Sequence, residues 1–217
     1  MFRLFLEYSY FFIFLPGLIG LFRWKQMDKK FHPFVILIWV GCLNEVISTI
    51  VVAQGHTNII NNNIYFLLEA FFLLWFFEKN GLFKGQRMLL AGIATAYLTL
   101  FLFESLTLKK FTMQNNYFLV LYAFVTVLMS ISTINYLLVN TKSNLLTNGV
   151  FLICIAFIVF FTQTVLVHSF WIYGLTNSRN FLATIYLIMF YVNLFANLTF
   201  AVGLLWIPKK QPSLLPF

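Results

Sequence analysis

Apolar residues run through this chain in long blocks, separated by short polar interruptions. A membrane-crossing helix needs about 20 mainly apolar residues. Seven stretches meet that description: Leu4–Phe22, Phe34–Ala53, Ile59–Phe77, Met88–Phe103, Tyr117–Val139, Val150–Phe170 and Phe181–Ile207. The fourth is the shortest. The pattern predicts an all-α integral membrane bundle of seven transmembrane helices over residues 1–207, followed by a short cytoplasmic tail, 208–217. Trp24, Trp75, Trp171 and Trp206 fall at ends of these stretches, where amphipathic rings anchor a helix at the interface.

Polar residues inside the blocks carry the most information, because a charge at mid-membrane is expensive to keep. Glu69 lies close to the middle of the third stretch, roughly 15 Å from its outer end at about 1.5 Å per residue. Glu45, beside Asn44 in the second stretch, lies at a similar depth, roughly 16 Å from the other end. A short link makes the two helices antiparallel neighbours, so the two carboxylates are expected to face each other. Two carboxylates in one apolar site do not both ionise cheaply, and at least one holds a proton at neutral pH. Two readings stand: a proton-sharing or ligand-binding pair, or two protonated acids that glue helices through neighbouring hydroxyls and amides. Asn193 and Asn197 lie one turn apart on the seventh stretch. With Asn44, Glu45 and Glu69 they are expected to form a polar belt at mid-depth. Gln163 and His168 lie toward the outer end of the sixth stretch and complete the set of binding candidates, with a structural hydrogen bond as the bland alternative for both.

The remaining polar positions have local readings. Pro16–Gly17 predicts a kink in the first stretch, since proline removes a backbone hydrogen bond. Glu7, near the outer end, reaches water or Arg3. Asn61–Asn63 are expected to cap the third helix, and His56 to be solvated. Gly92 and Ala96, four apart, predict close helix packing. Glu104–Gln114 is expected to be the longest outer loop, solvated and carrying Lys109 and Lys110. Thr126, Ser130 and Thr133 share a helical face, where hydroxyls bond back to their own helix or line a cavity. Asn62–Phe71 and Asn115–Phe124 look alike, but no repeat is inferred from an asparagine pair and a phenylalanine-rich background.

Composition agrees with the pattern. The 217 residues are 61% apolar, 20% aromatic and 9% charged, more apolar surface than a soluble domain of this size hides. A net charge of +8 would suggest nucleic acid in a soluble protein. Here the charge orients the chain instead. Arg23, Lys25, Lys29, Lys30, Lys79, Lys84, Arg87, Lys142, Lys209 and Lys210 would lie on one side, and only Arg3, Lys109, Lys110 and Arg179 on the other. By the positive-inside rule the N-terminus is outside and the C-terminus cytoplasmic. The first stretch lacks a cleavage site of small residues and reads as a retained span. Cys42 and Cys154 lie inside apolar runs and read as packing residues. The sequence has no glycine-rich phosphate loop, zinc spacing or nucleophile elbow, and its three histidines are scattered. No cofactor and no metal are expected.

Three segments, NNNIYFLLEAFF, HSFWIYGL and YVNLFANLTFAVGLLW, give the chain its family likeness. It resembles small seven-helix membrane proteins of Bacteroidota, which are similar to the seven-helix sensory modules associated with bacterial histidine kinases. The resemblance implies a multi-pass protein of the bacterial inner membrane with a sensing or signalling role, and supplies no binding residues. With no output domain in the sequence, a signal would pass to a membrane or cytoplasmic partner. Retinal bound as a Schiff base is excluded, since Phe181–Ile207 contains no lysine. The expectation is a non-enzymatic sensor or partner-binding subunit with the basic loops meeting its partner or anionic headgroups. The alternatives are a proton-coupled transporter, a structural subunit of a larger assembly and, least of all, an intramembrane lipid enzyme.

Overall fold

The computed structural model describes residues 9–108, 113–140, 144–174 and 179–208. Arg3, Glu7, Lys109, Lys110, Lys142 and the tail from Lys209 onward lie outside the described residues. Helices α1 (Phe14–Arg23), α2 (His32–Ala53), α3 (Ile59–Lys79), α4 (Arg87–Phe103), α5 (Asn116–Asn140), α6 (Gly149–Ile172) and α7 (Arg179–Trp206) form an all-α bundle. Six of them, α2 to α7, are long and apolar enough to cross a membrane, and α1 is a shorter apolar helix. By helix length and hydropathy this is a multi-pass membrane protein.

Aromatic rings fill the interior. Phe34 of α2, Phe76 of α3, Phe157 of α6 and Phe200 of α7 interlock at ring-centroid distances of 5.2–5.9 Å. Edge-to-face pairs of this kind contribute about 0.5–1.5 kcal/mol each beyond area burial. A second group, Tyr97, Phe101, Phe118, Tyr122 and Phe161, joins α4, α5 and α6. Helix α6 packs against both α5 and α7, and α2 against α3, while α4 sits at the margin with Tyr97 and Phe101 as its buried residues. Helices α6 and α7 approach closely at two glycines. A methyl group added to Gly149 would lie 2.6 Å from the carbonyl oxygen of Gly203, so only hydrogen fits there.

One contact orders the helix ends. The Arg23 guanidinium, closing α1, donates to the carbonyls of Leu204, Leu205 and Ile207, the last at 2.8 Å. The final carbonyls of a helix lack intrahelical donors and carry its negative dipole end, so a guanidinium satisfies them in both respects. Helices α1 and α7 therefore end on the same side. The links carrying Lys25, Lys29, Lys30 and Lys84 join helix ends on that side, where Arg87 opens α4, and we call it the basic end. The opposite end is rich in asparagine.

Four local expectations are corrected. Pro16 does not kink a long helix: it stands in the first turn of α1, just after a 3-10 turn over Ser9–Ile13, where its missing N–H is tolerated. The chain does not leave the helix at Phe103. It continues as a π-turn over Glu104–Leu108, so that segment is not loop, and the fourth apolar helix runs Arg87–Leu108. Gly92 meets nothing within 4 Å of an added methyl, so it mediates no close approach. Asn61–Asn63 do not cap α3. They lie within it and bond across to other segments. On α5, Thr126, Ser130 and Thr133 each donate at 2.8 Å to the carbonyl four residues earlier, which leaves their donors inside their own helix.

Candidate functional site

On α3 the buried positions Glu69, Ala70, Leu73, Leu74, Phe76 and Phe77 trace one stripe at helical period. Glu69 is thus carried inward by the same stripe that packs the bundle, and is 7% exposed. Its partners are tyrosines. Tyr65, one turn earlier on the same face, donates its hydroxyl to Oε1 at 3.1 Å. Tyr122 of α5, 1% exposed, donates to Oε2 at 2.6 Å. Each carboxyl oxygen holds one hydroxyl, and the two hydroxyls come from different helices. Tyr97 of α4 stands edge-on to Tyr122 with ring centroids 6.5 Å apart, and its buried hydroxyl has no hydrogen-bond partner among the described residues.

Glu45 is placed differently. Its side chain is half-buried, and no described residue hydrogen-bonds its carboxylate. The two acids do not bond each other. The Tyr65 hydroxyl, held by Glu69, lies against α2 at Gly41, 3.4 Å from where a methyl group would be.

The other candidates separate into further groups. Asn44 accepts from the Asn61 amide at 2.7 Å, the same amide reaches Ser48 at 3.2 Å, and Ser48 donates to Asn62 at 3.3 Å, stitching α2 to α3. Asn197 donates to both the side-chain and main-chain oxygens of Asn193 at 2.9 Å, within α7. His168 Nδ1 pairs with Asn116 Oδ1 at 3.0 Å, tying α6 to the start of α5. Gln163 is half-buried and has no hydrogen-bond partner among the described residues. Asn44, Glu69 and Asn197 each bond in a different group.

Two features are not signalled by the sequence. Tyr122 and Tyr97 stand in apolar spans with nothing local to mark them. Glu104, read as loop, is fully buried and accepts from the N–H groups of Tyr117 and Phe118 at 3.3 and 2.9 Å. A carboxylate there satisfies two donors that α5 leaves open and complements its positive end. Beside it Asn115 donates through its amide to Ser105 at 2.6 Å and through its backbone to Asn63 at 3.2 Å, while Asn63 donates to the Met113 carbonyl at 3.0 Å. The asparagines of the two look-alike segments therefore meet at the head of α5.

Chemically, Glu69 is the one candidate acid enclosed on all sides and held from two helices. Losing or gaining a proton there, or admitting a polar ligand, alters both tyrosine bonds and so the α3–α5 contact. No group of three or more His, Cys, Asp or Glu residues is arranged to hold a metal among the described residues. Cys42 and Cys154 are free thiols. Comparison with protein-family models, curated proteins and solved structures yields no match.

Proposed function

We infer that this chain is a seven-span, non-enzymatic sensor or partner-binding subunit of a bacterial inner membrane, with its N-terminus outside and its basic end in the cytoplasm. The observation that carries this reading is the Tyr65–Glu69–Tyr122 cluster. A carboxyl gripped by hydroxyls from two helices is a two-state element: its bonding pattern depends on its proton or ligand, and α3 and α5 shift with it. Both helices finish at the basic end, so a shift between them is delivered where a cytoplasmic partner would meet the chain.

The test is purification from native membranes in mild detergent of the wild type and of Glu69→Gln, which keeps shape but cannot ionise. The expected result is a stoichiometric partner on the wild type whose retention changes in the variant while the bundle stays folded. Identical recovery from both, or a wild type recovered alone, overturns the reading.

One observation favours a second reading, a proton-coupled carrier. Tyr65 bonds the enclosed Glu69 and faces α2, the helix that carries the half-buried Glu45, and buried carboxyls in spans often mark proton pathways. Flux in proteoliposomes that Glu69→Gln abolishes would select it over the first.

A further inference from the structure

At the basic end a cleft of about 340 Å³ opens between the 1–2 link, the end of α5, the start of α6 and the end of α7. Its polar lining is unusual in sign. Lys30, whose ammonium lies 5.1 Å from the centre of the Phe31 ring, is a cation in the lining, and no carboxylate lines the cleft among the described residues. Asn144 and Asn148 add two more donors, and their orientation follows from their own bonds. Asn144 Oδ1 accepts from the backbone N–H of Leu146 at 3.0 Å, and Asn148 Oδ1 from those of Val150 and Phe151 at 2.9 and 3.3 Å. A backbone N–H can only donate, so each amide oxygen must face it and each NH2 group is the end left over. Neither NH2 group has an acceptor among the described residues. The indole of Trp206 supplies a donor that cannot accept, and Tyr136 a hydroxyl.

Lys30 and the two unclaimed amide donors, with no acid beside them among the described lining residues, are complementary to an anion rich in acceptor oxygens. The remaining lining of the cleft mixes apolar Phe31, Leu137 and Val150 with Asn80, Thr133 and Thr147, which donate to the carbonyls of Phe76, Met129 and Asn144. We propose that this cleft binds a phosphate ester, with Lys30, Asn144 and Asn148 on its oxygens. The chemistry is shared by an anionic lipid headgroup and a small soluble phosphate. The Asn residues serve twice: the oxygen caps a turn or helix, and the nitrogen holds the ligand.

That division of labour supplies the test. Asn144→Asp and Asn148→Asp keep an oxygen for the caps, since aspartate caps helices as well as asparagine, while replacing each donor by a charge that repels phosphate. The full chain in neutral detergent is titrated with short-chain phosphatidylglycerol and, separately, with inorganic phosphate, and the rise in unfolding temperature is followed. The double variant is expected to weaken the half-saturating concentration at least about tenfold, the loss expected from one charge-assisted hydrogen bond, with little change in stability without ligand. Lys30→Gln is expected to weaken it comparably and Lys84→Gln, at the same end but outside the cleft, much less. A response to phosphatidylglycerol alone identifies a lipid headgroup, and a response to both probes a soluble phosphate source. If the double variant does not fold, Lys30→Gln against Lys84→Gln decides. The proposal is overturned if neither probe stabilises the wild type, if the double variant responds like the wild type, or if Lys84→Gln weakens binding as much as Lys30→Gln.

Discussion

Removing the Tyr122 hydroxyl isolates the strongest bond of the buried cluster. Tyr122→Phe changes nothing in ring volume but leaves Glu69 Oε2 without its donor at 2.6 Å, in a place where water does not reach. In a soluble protein an unpaired buried acceptor costs about 1–3 kcal/mol. Inside a bilayer the unfolded reference state also finds partners, and measured side-chain bonds average about 0.6 kcal/mol with a maximum of about 1.7. A short, fully enclosed bond to a carboxyl belongs near the upper limit, so we expect a loss of about 1.5 kcal/mol, roughly tenfold in the unfolding equilibrium. Tyr65→Phe removes a 3.1 Å bond from a more accessible ring and should lose about half as much. Tyr97→Phe is the internal control. Its hydroxyl is equally buried but unpartnered, so its removal should be neutral or stabilising. The assay is reversible unfolding in mixed micelles at increasing dodecyl sulfate, followed by circular dichroism. A double-mutant cycle of Tyr122→Phe with Glu69→Gln should show a coupling of about 1 kcal/mol. A neutral Tyr122→Phe, or a Tyr97→Phe that loses as much, would refute the reasoning.

Two further perturbations address the frame that holds the cluster. Gly149→Ala pushes a methyl group against the Gly203 carbonyl and should destabilise by about 1–3 kcal/mol in the same unfolding assay, whereas Gly92→Ala, facing open space, should be harmless or slightly stabilising. Arg23→Gln strips the charge from the carbonyl end of α7 and should lower stability by about 1–2 kcal/mol, while Arg23→Lys, which cannot span three carbonyls with a planar fork, should recover only part of it.

How much of this was legible in the sequence depends on whether a feature is local. The long helices were, because twenty consecutive apolar residues leave the backbone one way to satisfy itself. The Tyr65–Glu69 pair was also there to be read, four residues apart in YFLLE and so on one face. Tyr122 was not. Which tyrosine meets Glu69 depends on how α3 and α5 rotate about their axes, and the Phe-rich stripes specify that rotation only jointly. Glu104 was hidden for another reason. Polar letters after Phe103 read as an exit into water, whereas the π-turn carries them inward to the head of α5. Asn61–Asn63 misled in the opposite sense: asparagine near a helix start suggests a cap, yet here neighbouring segments compete for those amides and win.

The central claim is that the two mid-span acids are not equivalent: Glu69 is enclosed by the bundle and bonded by two tyrosines, whereas Glu45 is half-buried with no such bond among the described residues. Treatment of the protein in membranes with a lipid-soluble carbodiimide, followed by peptide mass spectrometry, measures this directly. The account expects a label on Glu45 and little on Glu69, with Glu69 labelling rising in Tyr122→Phe. Equal labelling of both acids in the wild type, or a label on Glu69 alone, would contradict it.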